Sequence, residues 1–174
     1  TSYDRREVHI SSNGTSYTGV IYDFTFGSMA GTYIDFPGHI AETDDGNDSS
    51  TYPIESLYRL DCVAAKLDRQ SGSGGVGADE LRSSIRGEIN GCRALVVNAL
   101  GGKRFDEIAD RSVWLEKSAV DWICESGVSL LVSDIYESEA LHGVFYDLFA
   151  RRVSTVCCPV NLHLLPSNSF KISV

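Results

Sequence analysis

The sequence predicts a mixed α/β domain, and three observations carry that prediction. Two short, largely apolar stretches, ALVVN (94–98), with its polar end, and VSLLV (128–132), read as strands buried on both faces. Segments of helical spacing stand between and after them. Hydrophobic residues make up 43% of the 174, enough for a sizeable core and too many for a disordered chain.

The elements follow in order. Residues 17–26, YTGVIYDFTF, partly alternate and are rich in β-branched and aromatic residues, so they read as a strand. Residues 32–36 read as extended, and residues 43–51, TDDGNDSST, as a polar loop. PIESLY (53–58) is a short helix candidate, and LDCVAAKLD (60–68) the next strand. SGSGGVG (71–77) reads as a flexible connector, after which Asp79 and Glu80 favour the first turn of a helix through Ile85. Residues 117–126 form a helix stopped by Gly127. Residues 137–151 are expected to be the longest helix, with Leu141, Phe145, Leu148 and Phe149 on one face. Strands at 153–158 and 170–174 close the set.

Charge and composition exclude several classes. Net charge is −9, with 15 basic residues scattered among 24 acidic ones, which disfavours nucleic acid as a partner. Arg151-Arg152 is the nearest thing to a basic patch, and at a helix end such residues complement the dipole. No apolar run approaches the ~18 residues of a membrane span. The first ten residues carry no apolar leader segment, so a cytoplasmic location is expected. Five cysteines, an odd number with no CxxC, read as buried free thiols rather than a zinc ribbon. Asn13-Gly-Thr and Asn47-Asp-Ser match a glycosylation sequon by chance.

The stretch FGSMAGTYIDFPGHI (26–40) holds the first candidate site. In an extended segment Tyr33 and Asp35 share one face, and Pro37-Gly38 turns the chain so that His39 comes back towards it. A carboxylate beside a histidine fixes its tautomer and prepares it as a general base. The bland alternative is a capping Asp and a surface His. His142 is either a packed helix histidine or a site residue. Cys157 and Cys158 are adjacent, so on a strand at most one of them faces a site. Asp134 either faces a pocket or simply ends its strand. His163 and His9 read as structural or exposed.

These pieces together resemble the metal-dependent cyclase family, which includes kynurenine formamidases and isatin hydrolases. Its signature is HxGTHxDxPxH, and the matching positions here are Met29-Ala-Gly31-Thr32-Tyr33-Ile-Asp35-Phe-Pro37-Gly-His39. RALVVNAL, LEKSAVDWICESGVSLLVSDIYE, LHGVFYDLF and VNLHLLP resemble later segments of the family. The resemblance implies a swivelling β/β/α-type domain over residues 1–174, lacking the family's first strand. It implies a homodimer or homotetramer acting on a small molecule, and hydrolysis of small cyclic or aryl amides. Carried over by position, the metal ligands are Met29, Tyr33, Asp35, His142 and Cys157, and only Asp35 and His142 keep the family's residue type. A thioether and a neutral phenol are poor ligands for a hard divalent metal. Three readings stand. The first is a metal-free enzyme using Asp35, His39, Tyr33 and His142, with Met29, Phe36 and Cys157 against the substrate. The second is a non-catalytic binding or scaffold relative. The third is a Zn or Mn hydrolase with altered ligands.

Overall fold

The structure, a computed structural model, describes residues 2–103, 107, 111–166 and 169–174. The chain divides into two units, Thr1–Tyr33 and Ile34–Val174. The first is built on a hairpin of β1 (Ser2–Ser12) and β2 (Thr15–Thr25), antiparallel in unbroken register from Ser2↔Thr25 to Ser12↔Thr15. Asn13 and Gly14 close it with φ of 51° and 77°. A two-residue turn with both φ positive matches the twist of the flanking strands, and Asn-Gly adopts it at low cost. Arg6 donates across the ribbon to Asp23 at 2.8 Å, and His9 lies 3.1 Å from Thr18.

A six-stranded sheet has the order β10–β4–β6–β8–β9–β3, comprising β3 (Tyr33–Asp35), β4 (Leu60–Lys66), β6 (Ala94–Asn98), β8 (Leu130–Ser133), β9 (Ser154–Cys157) and β10 (Phe170–Ile172). From β4 to β9 the neighbours are parallel, while β10 runs antiparallel on the β4 edge. Alternate residues of one strand enter two different cores. Val63, Ala65, Leu95, Val97 and Leu131 pack in the larger one with Leu81 of α1 (Ala78–Ser84), Ile123 of α2 (Lys117–Glu125) and Leu148 of α3 (Val144–Ala150). Cys62, Ala64, Val96, Leu130 and Val132 pack on the opposite face with Val156 and Leu162. Leu95 and Leu131 have no exposed surface, and burial of each contributes about 1.5–3 kcal/mol. That double burial is why these strands read as unbroken apolar runs.

Three expectations need correction. The long helix at 137–151 is only α3, Val144–Ala150. Gly143, at φ 86°, breaks the spacing ahead of it, and Leu141 is exposed rather than on a buried face. The connector at 71–77 contains β5 (Gly74–Val76), which pairs in parallel with β7 (Val113–Leu115) in a separate two-stranded sheet. The short helix at 53–58 is a 3-10 turn, Ile54–Leu57. Among the described residues no helix is long and apolar enough to cross a membrane.

Candidate active site

The parallel strands β4, β6, β8 and β9 present their carboxyl ends on one edge of the sheet, where α/β folds place their ligands. Cys157 is the last residue of β9, and β3, ending in Asp35, is its neighbour.

Asp35, His39 and Cys157 come together there. After Phe36 the chain makes one 3-10 turn, Pro37–His39, closed by the His39 amide donating to the Phe36 carbonyl at 2.9 Å. Proline supplies the fixed φ that opens such a turn. The turn brings the His39 Nδ1 to 3.3 Å from Asp35 Oδ1. From the other side the Cys157 Sγ donates to Asp35 Oδ2 at 3.9 Å, and Thr155 Oγ1 lies 3.7 Å from the same sulfur. Asp35 and Cys157 are buried, while the His39 side chain is 40% exposed. Burial pushes the Asp35 carboxyl above its ordinary value, and His39 and Cys157 pull it part of the way back. Cys157 is thus placed as a hydrogen-bond partner of the Asp35 carboxyl.

The loop is braced from several sides. Phe36 is buried and stacks on Tyr52 with ring centroids 4.3 Å apart. Thr43 Oγ1 donates to the Pro37 carbonyl at 2.6 Å. Arg152 Nη1 donates to the Thr43 carbonyl at 2.9 Å and lies 3.5 Å from Asp45. Gly38 is required by close approach: a Cβ would stand 2.9 Å from Asp44 Oδ1 and 3.3 Å from the Asn47 carbonyl. The edge of His39 meets Phe149, a fully buried ring of α3, at 6.4 Å. Sequence reasoning missed Thr43, Phe149 and Thr155, and gave Arg152 only a helix-dipole role.

The remaining candidates have other settings. His142 is not on a helix but in the loop before α3. Its Nε2 lies 2.9 Å from the Leu115 carbonyl. A carbonyl only accepts, so Nε2 donates there, while Nδ1 lies 3.2 Å from Ser138 Oγ and 3.6 Å from Glu137 Oε2. Buried Glu137 takes the His142 amide at 3.0 Å and the Val144 amide at 2.6 Å, which fixes this loop. Met29 is 60% exposed in the turn that follows β2. Tyr33 is half-buried at the start of β3, two residues before Asp35 on the same strand. Asp134 resolves as a strand-end staple. It accepts from the Ala99 and Leu100 amides at 2.8 and 3.1 Å and from Asn98 Nδ2 at 2.8 Å. Cys62, Cys92 and Cys157 are buried, Cys124 is half-buried, and Cys158 is exposed, so the adjacent pair does split between inside and outside.

Comparison with known proteins defines the class. The family described as "Putative cyclase" matches residues 4–140, well over half of the chain, and the chain belongs to that family. Three solved structures share the fold at 14% identity each. An isatin hydrolase bound to the product analogue thioisatinate superposes with a TM-score of 0.67, covering 96% of this chain and 72% of that one. Isatin hydrolase A from Labrenzia aggregata, bound to benzyl benzoate, gives 0.66 over 95% and 73%. A predicted metal-dependent hydrolase from Bacillus stearothermophilus gives 0.61 over 95% and 75%. Comparison with curated proteins finds no match.

The donor set here does not fit the metal that the family implies. Asp35 is engaged by His39 and Cys157, and both His142 ring nitrogens by Ser138 and Leu115. Met29 and Tyr33 offer a thioether and a phenol where imidazoles are expected, and neither suits a hard divalent ion. Among the described residues no group of three or more His, Cys, Asp or Glu, the Asp35–His39–Cys157 cluster included, is placed to hold a metal ion.

Proposed function

We propose that this chain is a cyclase-family enzyme that hydrolyses, opens or closes a small cyclic or carbonyl substrate with its own acid–base groups. Membership of the family supports a hydrolase or cyclase kind of activity. The observation that carries the finer reading is the Asp35–His39 pair, 3.3 Å apart, kept while the neighbouring ligand positions are replaced. With Nδ1 turned to Asp35, Nε2 is the nitrogen left to exchange a proton. In hydrolysis it takes a proton from water as the oxygen adds to the carbonyl carbon. The tetrahedral intermediate then collapses, the ring C–N or C–O bond breaks, and the leaving atom receives the proton from His39. Asp35 orients the ring and balances its transient charge. Tyr33, on the same strand face as Asp35, is the proposed donor to the developing oxyanion.

The test is turnover of a panel of cyclic imides, lactones and aryl formamides, with and without chelator, by wild type, His39→Ala and Asp35→Ala. Activity that survives chelation and falls by about two orders of magnitude or more in His39→Ala supports the reading. Activity abolished by chelator, or unchanged in both variants, sinks it. A second reading, a binding relative without turnover, is favoured by one observation. Burial pushes Asp35 towards its neutral form, and a neutral carboxyl supports a histidine base poorly. Calorimetric binding of a panel member with no turnover would establish it.

A further inference from the structure

A cavity of about 460 Å³ opens between α1 and α2, and it shares no residue with the candidate active site. The half-buried Trp122 indole lines it from α2, on one helix face with Ser118 and Glu125. From α1 the Arg82 guanidinium lies over that ring, 5.6 Å from its centroid. The face of a tryptophan attracts a cation in this position. The Arg82 side chain is 51% exposed, and its ion pair with Asp79 at 2.9 Å is an exposed one. Such a pair holds weakly, so the guanidinium can give up the ring to another cation.

The walls set the charge. Glu80 is engaged by Arg69 at 2.5 Å, and Asp121 by Arg151 at 2.8 Å. Glu116 and Glu125, at the two ends of α2, line the cavity and are in no ion pair among the described residues. Packing holds the Glu116 carboxyl in place. It lies along the backbone of residues 75–77, where a Cβ on Gly75 would strike it and one on Gly77 would stand 3.2 Å from Oε2. In a chain at −9 such a cleft concentrates cations.

We propose that this cavity binds a linear aliphatic polyamine with at least three amino groups. Its terminal ammonium groups pair with Glu116 and Glu125, and the charged chain between them crosses the Trp122 face in place of Arg82. The spacing selects the ligand. Glu116 and Glu125 are nine positions apart, about 13 Å along a helix axis. They are too far apart to share one metal ion, and a short diamine cannot reach both. An extended triamine can, once the reach of the two side chains is counted. The volume is that of a small-molecule site rather than of a peptide groove.

The experiment is a fluorescence titration with spermidine of the full chain carrying Trp114→Phe, which leaves Trp122 as the one tryptophan. Spermidine should shift the emission saturably. Putrescine and Mg²⁺, at equal ionic strength, should each bind about fivefold more weakly or worse. Glu116→Gln and Glu125→Gln should each weaken spermidine by about fivefold or more, with an unchanged far-UV spectrum. Calorimetry on the unsubstituted chain gives a second measurement that needs no variant, and should show the same order of ligands. Spermidine binding no tighter than Mg²⁺ means a merely acidic surface and overturns the proposal. So does an affinity untouched in both glutamine variants, or an arginine-bearing peptide that binds more tightly than spermidine.

Discussion

The Arg152 guanidinium donates to the backbone carbonyl of Thr43, 109 positions earlier in the chain, at 2.9 Å. Thr43 in turn donates to Pro37, the first residue of the turn that carries His39. The candidate site is thus held by a relay from the residues after α3 to the loop after β3.

Arg152→Ala is expected to loosen residues 37–45 without unfolding the protein. The Arg152 side chain is 57% exposed, so its ion pair with Asp45 adds little to global stability, under about 1 kcal/mol. Local opening should still become easier, and the Thr43 and His39 amides should exchange up to about fivefold faster. Hydrogen exchange by mass spectrometry checks this. Exchange unchanged in the loop would mean that Arg152 does not brace it.

Asp35 gives a pH dependence whose sign is fixed by burial. Its native carboxyl binds a proton more tightly than the unfolded chain does, where the ordinary value is 3.8. Between that value and the native one the folded state holds more protons, so stability falls as pH rises through the window. Asp35→Asn cannot ionise and removes that slope. Denaturant unfolding of both proteins, from the ordinary carboxylate range to neutrality, should show wild type losing ground to the variant. If wild type gains instead, the His39 contact outweighs burial.

Asp134 predicts a plain loss of stability. Asp134→Ala strands the Ala99 and Leu100 amides and one end of Asn98, which costs about 3 kcal/mol in total. Asp134→Asn keeps one acceptor oxygen and should cost clearly less. Equal midpoints for wild type and Asp134→Ala in urea would show that water replaces the carboxylate without loss.

The strands of the central sheet were legible because burial on both faces leaves a compositional mark, as in ALVVN and VSLLV. The Asp35–His39 encounter was legible because it is local: four residues and a proline decide it. Cys157 at Asp35 was reachable only through the family pattern, since no local signal joins positions so far apart. β1 was missed because SYDRREVHISS buries no face and so shows no hydrophobic period. Its signal was Asn13-Gly14, a hairpin turn that also matches a sequon. The helix over 137–151 was overdrawn because Leu141 and Phe145 fall at helical spacing across Gly143, whose left-handed backbone ends the pattern.

The contact between Asp35 and Cys157 closes a loop of 122 residues. On a ribosome, the carboxyl and its turn are made first and must wait for β9 before the thiol reaches them. Strands β4, β6 and β8 are all synthesised in the interval, and each must take its parallel place before β9 can bring Cys157 to the edge. Pairings of this length fold slowly, because chain entropy is lost before the contact returns anything. A chain that ends before β9 can hold most of the sheet and still have no assembled site, so the candidate site waits for the strand that carries Cys157.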